Sequence, residues 1–153
     1  MNDIEARAIA EAERLASEGA DAEALYARLG RQDKAIARQP ELAQDPTLNP
    51  TYDSGHMGLV EDLKTLGRRI AAKWSRKLHD LVCGQAGGEE RNKLLAALNV
   101  SQAAAIALVT SMLLPLVSPA MAAPLAVIIV REFLAPAGTV ICEFWGEKLD
   151  EAV

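Results

Sequence analysis

Residues 59–83, LVEDLKTLGRRIAAKWSRKLHDLVC, decide the fold class. Leu59, Leu63, Leu66, Ile70, Trp74, Leu78 and Leu81 recur every three or four positions. At about 100° per residue they form one stripe along a helix. Lys64, Arg68, Arg69, Lys73 and Arg76 fall off that stripe, and Lys77 lies along its margin. The pattern predicts a long amphipathic helix whose stripe, with Leu63, Leu66, Ile70 and Trp74 foremost, is buried, and which Gly84 ends. Such a face needs other helices to cover it.

Toward the C-terminus, the glycine-rich stretch 84–88 reads as a loop and 89–98 as a short helix, with Glu89 and Glu90 suited to its positive end. Residues 94–130 then carry no charge, a run of 37. Ser101 is a candidate cap for a helix over 103–114. Pro115 kinks or ends that helix, and Ser118-Pro119 starts a second that runs to about position 134, bent by Pro124. The result is an apolar helical hairpin over 102–134, represented by Leu108, Leu113, Leu125, Ile128 and Ile129. Pro136 and Gly138 break it before a last helix carrying Val140, Ile141, Phe144, Trp145 and Leu149. No strand pattern stands out, so the expected fold is all-α: a small bundle of five to seven helices built on a long amphipathic helix and a central apolar hairpin.

Toward the N-terminus, residues 1–39 read as an acidic helical hairpin. Asn2 caps the first helix and Gly19 stops it; Asp21 caps a second that stops at Gly30, and a third short helix follows at 32–38. Residues 26–46 resemble a degenerate tetratricopeptide half-repeat in the spacing of Tyr26, Gly30 and Ala35, but Gln39 replaces the aromatic and Pro46 falls one position early. One copy cannot stack into a solenoid. Residues 40–58, broken by Pro40, Pro46, Pro50, Gly55 and Gly58, read as a linker, and 59–153 as the helical core. The run Ser54-Gly55-His56-Met57-Gly58 also fits a cloning junction, with Met57 as a native start.

The composition narrows function. The chain has 153 residues, half of them apolar, 4% aromatic, with net charge −5. The charge is uneven: −5 over 1–58, +3 over 59–93 and −3 over 94–153. Net acidity argues against bulk nucleic-acid binding, and no aromatic residues interleave the basic ones to stack on bases. Two cysteines cannot make a disulfide scaffold, and two histidines leave little for metal chemistry. Cys83 and Cys142, each beside apolar residues at a helix end, read as buried free thiols of a reduced compartment. Tyr52, Asp53, Ser54 and His56 are turn residues in a loop rather than a catalytic set. His79 reads as exposed, and Trp74, Phe133, Phe144 and Trp145 as core anchors.

No enzyme, cofactor or metal site is expected. The leading expectation is a cytoplasmic, non-enzymatic interaction module, an adaptor or homo-oligomerising accessory protein. It would use apolar surface and the basic face Lys64, Arg68, Arg69, Lys73, Arg76 and Lys77 against a protein partner. The alternative is a membrane-inserting effector. In that case the basic face meets an anionic lipid surface while residues 103–130 enter the bilayer, an architecture that resembles some pore-forming proteins. Pieces of about 15 and 12 residues on either side of Ser118-Pro119 are short for a span of roughly 20, which favours a buried hairpin.

Overall fold

A computed structural model describes residues 2–51, 57–85, 87–137 and 140–151. Tyr52, Asp53, Ser54 and His56 lie outside the described residues, as do the side chains of Met57, Leu59 and Val60. The chain forms α1 (Asp3–Ser17), α2 (Ala22–Arg38), α3 (Met57–Cys83), α4 (Gly88–Val100), α5 (Gln102–Leu113), α6 (Pro119–Ile129) and α7 (Ile141–Glu151). Among the described residues there is no strand, and the protein is an all-α bundle.

Local chemistry places the helix ends. Asn2, Asp21 and Ser101 side chains accept hydrogen bonds from the backbone N–H groups of Glu5, Ala24 and Ala104 at 2.7, 2.7 and 3.0 Å. Each satisfies one of the free donors of a helix start. Gly19, at φ +70°, closes α1. There Ala20 N–H donates back to Leu15 O and Gly19 N–H to Ala16 O, the paired bonds that a left-handed glycine permits. Unlike Gly19, Gly30 does not stop its helix. α2 runs on through it to Arg38, because Gly30 serves a helix crossing instead.

Helix α6 occupies the centre. Ala120–Ile129 are all buried, and α1, α2, α3 and α5 pack around them. A helix that is apolar on every side is stable only when enclosed. It continues through a π-helical turn at Val130–Leu134 and a 3-10 turn at Ala135–Ala137. Arg131, in the π turn, points outward and donates to the carbonyls of Ala16 (2.9 Å) and Ala20, tying the end of α1 to the central helix.

Pro124 sits inside α6 and has no N–H to donate to Ala120 O, four residues before it. The donor comes from α2: Gln32, fully buried, gives its side-chain Nε2 to Ala120 O at 2.8 Å and to Leu48 O at 2.7 Å. One glutamine thus repairs the proline gap and pins the segment after α2 to the core.

A second buried polar group joins α1 to α2. Arg28 and Glu11 are 3% and 4% exposed and lie 2.7 Å apart, and Arg14 donates twice to the same carboxylate. Burial alone would raise the Glu11 carboxyl, but the hydrogen bonds from Arg14 and the ion pair with Arg28 outweigh it and hold it below the ordinary carboxylate range.

At the other end, α7 docks on α3. Trp145 is fully buried and donates from Nε1 to Ser75 Oγ at 2.7 Å. Cys83 and Cys142 are not free thiols. They form a disulfide that closes a loop of 59 positions and ties the end of α3 to the start of α7. The apolar neighbours of each cysteine do place it near the core, but helix packing, which those neighbours do not reveal, brings the two sulfurs together. His79 is likewise not simply exposed. It stands edge-on to the Trp145 ring at 5.2 Å, and its Nε2 lies 3.1 Å from Cys142 O.

Candidate functional site

The long helix is buried along a different line from its apolar stripe. The residues of α3 that reach the interior are Leu63, Gly67, Ala71, Ser75, Leu78 and Val82. That face is turned by roughly 70° from the centre of the leucine-rich stripe. The cause is the crossing with α2, the most extensive helix pair in the fold. A Cβ at Gly67 would stand 1.8 Å from Tyr26 O, and one at Gly30 would stand 2.2 Å from Leu63 O. The two backbones touch through reciprocal glycines, so the small residues take the inside. Leu66, Ile70 and Trp74 are therefore half-buried, and Leu81 is 48% exposed.

This rotation sorts the six cations. Lys64 is ion-paired to Glu61 (3.3 Å) and Glu23 (3.8 Å). Arg68 donates to both oxygens of Glu23 at 2.6 and 2.7 Å and lies over the Tyr26 ring at 5.5 Å. Its guanidinium is held above its ordinary value chiefly by the Glu23 bond. Arg76 reaches Asp150 at 3.9 Å and Leu149 O at 3.4 Å. Arg69, Lys73 and Lys77 have no acidic partner among the described residues; the ammonium groups of Lys73 and Lys77 lie 4.9 and 5.8 Å from the Trp74 ring centre. Positions 69, 73 and 77 are successive helical neighbours, spanning about 12 Å along the axis at 1.5 Å per residue. Half-exposed Leu66, Ile70 and Trp74 adjoin this line of charge.

Beside the line is a hollow of about 550 Å³ between α2, α3 and the π turn. Ala71, Ala72, Phe133 and Tyr26 form apolar walls, with Arg68, Arg69 and Thr65 also lining it. Burial raises the Tyr26 hydroxyl, and the nearby charge of Glu132 adds to this.

The hairpin residues divide differently. Leu113, Leu125, Ile128 and Ile129 are buried, and Leu108 is half-buried on α5. Ala104, Ala107 and Met112 are half-buried with it, giving α5 an uncharged outer face. The stretch Pro119–Ala137, 19 residues, is long and apolar enough to cross a membrane; its most apolar 18 residues have a mean hydropathy of 1.6, and 78% of them are buried within the fold. Among the described residues no group of three or more His, Cys, Asp or Glu side chains could hold a metal ion.

Sequence reasoning missed the Gln32–Ala120 bond, the Glu11–Arg28 pair and the disulfide. Only the first had a readable signal: a proline inside an apolar helix leaves one buried carbonyl in need of an outside donor. No family model, curated protein or solved structure matches this chain.

Proposed function

We propose that the protein is a non-enzymatic helical interaction module, an adaptor or homo-oligomerising accessory protein, that engages an acidic partner through the outer face of α3. The observation that carries this reading is the line Arg69, Lys73 and Lys77, without an acidic partner among the described residues, beside half-exposed Leu66, Ile70 and Trp74. Apolar surface supplies affinity, and uncompensated charge supplies steering and register. Neighbouring Lys64, Arg68 and Arg76 already hold acidic partners within the chain, so they contribute less. The Cys83–Cys142 bridge supports an oxidising compartment rather than the cytoplasm.

Sedimentation and affinity capture on the intact chain test this reading. The wild type should self-associate or retain a partner in a salt-sensitive way. The variant Arg69→Glu/Lys73→Glu/Lys77→Glu should lose that association while staying folded, since none of the three has an ion-pair partner among the described residues. A wild type that stays monomeric and retains nothing dependent on these three residues would end the proposal.

A second reading, a membrane-inserting effector, draws support from Pro119–Ala137. Its backbone would stay helical in a bilayer, as insertion requires, although Ala120 O would lose the Gln32 donor that covers the Pro124 gap. Arg131 and Glu132 would have to sit near an interface, since a charge at the bilayer centre costs roughly 3 kcal/mol. Flotation with anionic liposomes separates the two. Carbonate-resistant binding abolished by Leu108→Asp would favour insertion. Leu108 suits the test because it is only half-buried, whereas Ile128→Asp would place a charge in the core.

A further inference from the structure

We infer that the hollow between α2, α3 and the π turn is a binding site for a free, linear, amphipathic monoanion, with a fatty carboxylate as the simplest example. This site is separate from the partner surface proposed above, although Arg69 borders both. Its volume, about 550 Å³, falls in the range of small-molecule sites. The hollow exists because α3 offers Ala71 and Ala72 where larger residues would have filled the space opposite Phe133 and Tyr26.

The lining selects the chemistry. Arg68 is already committed to both oxygens of Glu23 and to the Tyr26 ring, so it closes one side without a free charge. Thr65 donates its hydroxyl to Glu61 O, within its own helix. Arg69 is the one lining cation without an acidic partner among the described residues. A ligand therefore meets one uncommitted positive charge and otherwise alanine methyls and aromatic faces. That combination takes a single anionic head, held by the planar guanidinium in the two-point manner carboxylates accept, and an apolar body that needs no further hydrogen bonds. A sugar or nucleotide body would lose its hydration against these walls with nothing in return.

Calorimetric titration of the intact, oxidised chain with sodium dodecanoate below its micellar concentration tests the site. Dodecanol and dodecyltrimethylammonium serve as uncharged and cationic comparators. One dodecanoate should bind per chain, and both comparators should bind at least tenfold more weakly. Arg69→Gln changes only an exposed side chain and should weaken dodecanoate about tenfold, the worth of one charge-assisted contact. Ala72→Phe fills the hollow from a half-buried position and should abolish binding, while Arg69, Lys73 and Lys77 remain for any protein partner. Circular dichroism and melting temperature confirm that each variant is folded. Absence of dodecanoate binding by the folded wild type overturns the inference. So does dodecanol binding as tightly as dodecanoate, or a folded Ala72→Phe or Arg69→Gln that keeps wild-type affinity. Attachment to phosphatidylglycerol vesicles without uptake of free dodecanoate overturns it as well, because the face would then be a lipid surface rather than a pocket.

Discussion

Removing the glutamine that repairs the central proline should cost stability in a way that depends on the proline itself. Gln32 is fully buried, and its two Nε2 hydrogens serve Ala120 O at 2.8 Å and Leu48 O at 2.7 Å. Gln32→Leu keeps most of the side-chain volume and removes both donors. Its own Oε1 has no hydrogen-bond partner among the described residues, so losing that acceptor costs nothing. What remains is an orphaned carbonyl at fully buried Ala120 and a second, partly shielded one at Leu48. At roughly 1–3 kcal/mol for a buried unsatisfied carbonyl, the substitution should destabilise the fold by about 2–4 kcal/mol. Pro124→Ala restores the N–H that the helix itself would give Ala120 O, and it adds helix propensity while leaving a small void. In that background Gln32→Leu should cost about 1–2 kcal/mol less, and this coupling is the share that belongs to the proline gap. Urea titration of the four proteins, followed by the fluorescence of Trp74 and Trp145, measures it directly. Additive effects, with no coupling beyond error, would refute the assignment of Gln32 as the substitute donor for Pro124.

Four further outcomes follow from the packing. Gly67→Ala puts a methyl 1.8 Å from the Tyr26 carbonyl, which no rotamer relieves, so α2 and α3 must separate. We expect a loss of about 2–4 kcal/mol after the gain of roughly 1 kcal/mol in helix propensity, less than additive with Gly30→Ala at the same crossing. Gly146→Ala, whose Cβ meets His79 at an ordinary 3.5 Å, should be neutral or stabilising in the same denaturation assay. Breaking Cys83–Cys142, by reduction or by Cys→Ala at both positions, should cost about 4 kcal/mol on the chain-entropy estimate for a loop of 59; an unchanged unfolding midpoint on reduction would show the bridge carries no stability. The Glu11 carboxyl is held below its ordinary value of 4.5, so its contribution is full above that pH. It fades as pH falls through the lowered folded value, where protonation breaks the pair. Glu11→Gln should cost about 3–5 kcal/mol at neutral pH by leaving Arg28 buried and unpaired. It should also flatten the stability–pH curve below about pH 4.5, leaving the slope from Asp45, which its Thr47 hydrogen bonds also lower.

Helix periodicity, the caps at Asn2, Asp21 and Ser101, the stop at Gly19 and the restart at Ser118-Pro119 were all legible from residues alone, because each acts over three or four positions of one chain. The enclosure of the second apolar helix was legible too, since a helix without polar residues has no stable exposed side in water. Tertiary structure decided which side of α3 faces inward. Hydrophobicity favours the leucine line, but the closest helix approach requires glycine, and backbone contact at Gly30 and Gly67 turned the helix toward its small residues. The candidate site follows from that turn: the six cations looked equivalent in sequence, and only the neighbours brought by α2 and α7 separated the paired Lys64, Arg68 and Arg76 from Arg69, Lys73 and Lys77, which have no acidic partner among the described residues. The disulfide and the Glu11–Arg28 pair belong to the same class. Their partners stand 59 and 17 positions apart, and interactions at such distances depend on how helices pack, which local pattern does not encode.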